Sequence, residues 1–239
     1  MKFRNNGQFS KLINNNEIRY HKTADRNTNE ISNNLSFHFA LNGQEHFQVK
    51  CRHMSVFPGS FLTLNTGTPY VNSVNSPYPV QLLTIYFGDK FVDDFNNSWL
   101  TKDKRLLDNE PLSQERKMVL NETIYPLSVD MKYNIAHINK LVNEHNEDDL
   151  LLTEDLYHCL YHKEILQRAE RLHFTEKGAR NEIYRRLNLA KEYLYSNYNQ
   201  SISLKQLSGY SFMSINHLLR MFKQAFHKAP HQFLMQIRL

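Results

Sequence analysis

Between Gly88 and Gly178 the chain has no glycine, and the spacing of its apolar residues changes across that boundary. Before it, short apolar or alternating runs recur at 35–41, 46–49, 61–65 and 80–87. Asn42-Gly43, Pro58-Gly59, Thr66-Gly67 with Pro69, and Ser76-Pro77 separate them. Short runs broken by such turn signals predict an antiparallel sandwich or barrel. Beyond the boundary, Leu120, Ile124, Leu127, Met131, Ile135, Ile138 and Leu141 or Val142 recur at helical steps, and Pro126 must kink or split the run. A second helix is expected over 153–173, capped by Thr153, with Leu156, Cys159, Leu160, Ile165, Leu166, Ala169 and Leu172 on one side. The Asn14-Asn15-Asn16 start is read as a mobile arm, and the polar stretch 174–181, with Gly178, as a linker.

Charge divides the chain in the same way. From Lys177 onward there are ten basic and two acidic residues, against nineteen and twenty-two in the rest. A basic C-terminal part on a slightly acidic body points to a polyanion as its partner. No apolar run approaches the ~20 residues of a membrane span, and the polar N-terminus has no apolar stretch of signal-peptide length. No membrane partner and a cytoplasmic location are expected. Cys51 and Cys159, the only cysteines, are read as buried reduced thiols.

The basic part carries a motif. Leu187, Ala190, Tyr193 and Leu194 mark one helix ending near Tyr198. Ser203 precedes Gln206 by three residues, a capping box that opens a second, short helix. Gly209-Tyr210-Ser211-Phe212-Met213 is read as a turn, after which Ser214 caps a third helix over 214–226. Two short helices joined by a tight turn form a helix-turn-helix, whose second helix enters the major groove. On that helix Ile215, Leu218, Leu219, Phe222 and Phe226 are assigned to the core side. Asn216, His217, Arg220, Lys223 and Gln224 are assigned to the other. Arg220 suits guanine and Asn216 adenine, while Lys223 suits a phosphate. With Ser203 and Ser214, these five make up the candidate DNA-binding set.

The stretch Ala190-Lys191-Glu192-Tyr193-Leu194, then Ile202 to Leu207, Gly209-Tyr210-Ser211, His217 to Lys223, Pro230 to Leu234 and Arg238-Leu239 resembles the arabinose-regulator (AraC/XylS) family of transcription regulators. With lower specificity, Pro58 to Leu62, Asn65 to Tyr70 and Leu82 to Phe87 resemble the small cupin barrel of those regulators. The resemblance implies an α+β chain. Residues 1–97 would form a cupin-like sensing barrel with its arm, and 98–174 a helical segment that pairs two subunits. Residues 175–182 would be a linker, and 183–239 an incomplete all-α helix-turn-helix domain. It implies double-stranded DNA as partner, a homodimer, and a small-molecule effector in the barrel, of unknown identity and binding residues.

The chain departs from the family pattern twice. The family carries two helix-turn-helix units, and this sequence reaches Leu239 within the helix that would connect them; the second unit is expected to be truncated or lost. In the barrel, His38, His46 and His53 are scattered, and Tyr70 follows Pro69 where a histidine often stands. No metal, cofactor or catalytic residue is therefore expected. Two other readings stay open: an effector-binding, dimerising fragment without DNA binding of its own, and a metal-free cupin enzyme.

Overall fold

The computed structural model describes residues 3–5, 8–104, 118–143, 149–169 and 177–238. The chain is α+β, an antiparallel nine-stranded sheet followed by helices. The strands are β1 (Phe3–Asn5), β2 (Gln8–Ile13), β3 (Asn16–Ile31), β4 (Leu35–Ala40), β5 (Glu45–Val49), β6 (Arg52–Val56), β7 (Ser60–Leu64), β8 (Pro69–Phe87) and β9 (Ile124–Pro126). The helices are α1 (Asp89–Lys104), α2 (Val129–Asn143), α3 (Asp149–Ala169), α4 (Lys177–Ser196), α5 (Leu204–Ser211), α6 (Ile215–Phe226) and α7 (Pro230–Arg238).

The four expected strands are present, and three unexpected ones precede them. Asn14 and Asn15 are not a mobile arm. Both adopt left-handed backbone conformations (φ 47° and 65°) and turn β2 into β3. Asparagine tolerates this conformation better than other non-glycine residues, and two such residues match the twist of a hairpin. Next to them, Asn16 is fully buried and its Oδ1 accepts from the Gly88 N–H at 2.9 Å. Ser76-Pro77 does not end a strand either. Residues 76–79 bulge from β8 where Thr23 pairs with Val80 and Asp25 with Asn75, a place where prolines remove no ladder hydrogen bond.

The sheet buries both faces. On one, Phe37, Phe39, Phe61, Leu83, Ile85 and Phe87 pack against Val92, Phe95, Met131, Ile135, Ile138, Leu152, Leu156 and Cys159 of α1–α3. In the described part of the α2–α3 stripe that was expected to face a second subunit, Met131, Ile135, Ile138, Leu141, Leu156, Cys159 and Leu160 are core of this chain. Ile124, expected on that helical stripe, lies in β9 opposite Leu62. The helix expected to start at Thr153 starts at Asp149, whose carbonyl accepts from Thr153 Oγ1; 170–173 lie outside the described residues. On the other face, Phe47, Val49, Met54, Val56, Leu62, Leu64 and Val74 fill one end of the barrel. Cys159 is buried as expected, but Cys51 is exposed.

The expected linker is helix from Lys177 onward, since α4 begins there. α4 serves two cores. Leu187, Ala190 and Leu194 join the core of α5–α7, whereas Tyr195 packs into the barrel cluster.

Candidate nucleic-acid interface

The helix-turn-helix is built on its caps. Ser203 Oγ accepts from the Gln206 N–H and Gln206 Oε1 accepts from the Ser203 N–H at 2.9 Å, so the expected capping box is complete. The turn lies later than expected. Gly209 and Ser211 are inside α5, and Phe212 takes the left-handed conformation (φ 53°, ψ 40°) that ends it. The Phe212 carbonyl accepts from Arg186 Nη1 at 2.8 Å, which ties the turn to α4. Ser214 then caps α6 by accepting from the His217 N–H.

Below α6, Leu218, Met221, Phe222 and Ala225 pack on Leu187, Ala190, Leu194, Leu207, Met213 and Leu234. Met221 and Ala225 take core places that the sequence reading gave to Ile215 and Leu219. Ile215 is 39% exposed and Leu219 half-buried. Asn216, Arg220, Lys223 and Gln224 are exposed together on the opposite face, and His217 is half-buried beside them. Ser203 and Ser214 stand apart from this face in role, since their hydroxyls hold helix starts. The α6 face thus presents amide, guanidinium and ammonium groups over a packed base. α7 is held from below by Arg238, whose guanidinium donates to the Tyr198 and Gln200 carbonyls at 2.7 and 2.6 Å.

α4 joins this unit to the barrel. Arg52 Nη1 donates to Glu192 Oε1 at 2.8 Å, and Thr123 Oγ1 donates to the same oxygen at 2.9 Å. The Glu192 side chain is almost wholly buried, and burial raises its pKa against the pull of Arg52. Phe57 stacks on Tyr198 at 4.7 Å and meets Tyr195 at 5.5 Å. The Lys163 and Lys191 ammonium groups each lie 4.6 Å from the Tyr125 ring centre. Sequence reading missed this junction, because its partners come from segments remote in sequence. A cleft of about 930 Å³ opens beside it, between the barrel, α2 and the α6–α7 corner.

The barrel interior is polar at its other end. Arg19 holds Glu17 through two hydrogen bonds of 2.8 and 2.9 Å. Arg26 donates to Glu30 at 3.0 Å, and the Tyr70 hydroxyl donates to the other Glu30 oxygen at 2.8 Å. His38, wholly buried among Phe47, Tyr70 and Tyr86, is held near pKa 3 by burial. Asn72 donates to Glu45 at 2.7 Å. Arg19, His21, Arg26, Thr28 and Glu30 line a cavity of about 550 Å³ above this network. His46 and His53 lie outside it, both exposed, on β5 and β6. Among the described residues no three His, Cys, Asp or Glu side chains gather as a metal site.

No family model matches this chain, and no curated protein does. Solved structures resemble it at low identity. ToxT from Vibrio cholerae O395, with a bound butenoic acid derivative, is 12% identical over 93% of this chain and 99% of that one, with a TM-score of 0.44. The AraC-like transcriptional activator CuxR is 10% identical over 97% of this chain and 78% of its own, with a TM-score of 0.42. A protein of unknown function from Rhizobium leguminosarum covers 34% of this chain at 12% identity and a TM-score of 0.30. The functional reading therefore rests on this chain's own residues.

Proposed function

We propose that this chain is a DNA-binding transcription regulator of the arabinose-regulator type, with α6 as its major-groove helix. The observation that carries this reading is the exposed row Asn216, Arg220, Lys223 and Gln224 on a helix whose start and base are fixed. A helix docks in a groove ~12 Å wide only if it stands clear of its own domain, and the first turns reach base edges. The net positive charge of the part from Lys177 onward supplies the phosphate-directed attraction.

In the same reading the barrel binds a small-molecule effector rather than performing catalysis. The cavity above the Glu30 network supports this. Its guanidinium groups are already paired with carboxylates, so it offers balanced hydrogen-bonding groups to a polar ligand. Two copies would pair through what α2 leaves exposed, including Val129 and Tyr133.

The test uses a duplex selected by the chain from a random pool. Arg220→Ala should cost about 1–3 kcal/mol on the selected duplex and relax one base position, as loss of a bidentate guanine contact does. Lys223→Ala should weaken selected and scrambled duplexes alike and lower the salt slope by about one. Identical effects of both substitutions on both duplexes would refute the assignment.

A further inference from the structure

We propose that Leu219 reads thymine, its side chain resting on the C5-methyl group beside the base edges that Asn216 and Arg220 reach. The inference rests on the DNA-reading role of α6. By periodicity Leu219 belongs with the core side, but the core is closed by Leu218, Met221, Phe222 and Ala225. Among the described residues, neither Leu219 nor Ile215 joins the side chains that form or flank that core. Two apolar residues one turn apart are therefore left at the border of the polar face.

Residues three and four apart are neighbours on a helix surface. Leu219 thus lies in one row with Asn216 before it and Lys223 after it, and it precedes Arg220 in sequence. A ligand that engages those exposed polar groups must cover Leu219 as well. Leucine gains from that contact only by taking apolar surface out of water. In the major groove of unmodified DNA, the thymine C5-methyl is the one apolar group that base edges display. Ile215, 39% exposed at the first position of α6, extends the apolar border toward the turn. A protein partner seated here would also have to cover the exposed Asn216, Arg220 and Lys223 groups, and the net positive charge from Lys177 onward favours a polyanion instead.

Deoxyuridine tests the idea without touching the protein, since it pairs like thymidine and lacks only the methyl group. Each thymine of the selected duplex is replaced in turn, and affinity is measured for the full chain and for Leu219→Ala. One replacement should weaken binding by the parent chain about fourfold, the affinity equivalent of one buried methyl group. The same replacement should leave Leu219→Ala binding unchanged. Tolerance of deoxyuridine at every position would overturn the proposal, as would a loss that persists undiminished in Leu219→Ala. If the pool yields no preferred duplex, the DNA-reading role of α6 itself falls, which is a different result from an enriched duplex indifferent to its methyl groups.

Discussion

Glu45 is a carboxyl group with almost no access to water, and among the described residues its hydrogen-bond partner is the Asn72 amide. Burial pushes its pKa up to about 7 from the ordinary 4.5, against the opposing pull of Asn72 and Arg26. The folded chain keeps this proton at pH values where the unfolded chain has released it. Stability therefore falls as pH rises from about 4.5 to about 7, by on the order of 3 kcal/mol. His38 acts in the opposite sense. Its folded pKa is near 3, so the unfolded chain takes up a proton below about 6.5 that the folded chain refuses, and stability falls with falling pH. The two slopes overlap, and only a difference isolates the first. Glu45→Gln should be more stable than the parent at pH 7 and close to it at pH 4.5 in urea denaturation. A stability difference that does not change with pH would show that Glu45 titrates normally.

At the scale of elements, α5 shows where local signals mislead. Gly209 reads as the turn, yet it is the sixth residue of α5 and a Cβ there would meet nothing within 4 Å. Gly209→Ala should raise the stability of the chain by about 0.5–1 kcal/mol, the usual gain inside a helix; a loss in thermal denaturation would mean that the backbone there is not helical. The turn falls to Phe212, held left-handed by bonds that tie its carbonyl to Arg186 and its N–H to α5. Those are tertiary consequences that no local propensity encodes. The caps Ser203 and Ser214 were legible, because a hydroxyl three residues before an amide or an apolar run is a local device. The strands β4, β5 and β7 were legible for the same reason, since their runs are apolar or alternate and end in turns. β3 was not. Its inward residues Arg19, His21, Arg26, Thr28 and Glu30 are polar because they line the cavity, so the alternation that marks a half-buried strand is missing. The polar row of α6 was readable from its period, but Leu219 and Ile215 were assigned to a core that Met221 and Ala225 fill.

Across the whole molecule, α4 sets how the barrel and the α5–α7 unit depend on each other. One face of this helix closes the core of α5–α7 and the other carries Glu192 and Tyr195 into the barrel. Neither unit can open without uncovering a buried carboxylate or aromatic surface of the other. Heating should therefore melt the chain in one step, with calorimetric and van't Hoff enthalpies equal. Arg52→Ala leaves Glu192 buried without the guanidinium that donates to it, a loss that breaking a buried pair usually makes costly. In that variant the single peak should split into two, and a peak that stays single would place the joint elsewhere. The two units are thus coupled through α4 itself. A rearrangement of the strands around Arg52 would tilt α4 directly, and with it the angle at which Asn216 and Arg220 meet whatever lies against them.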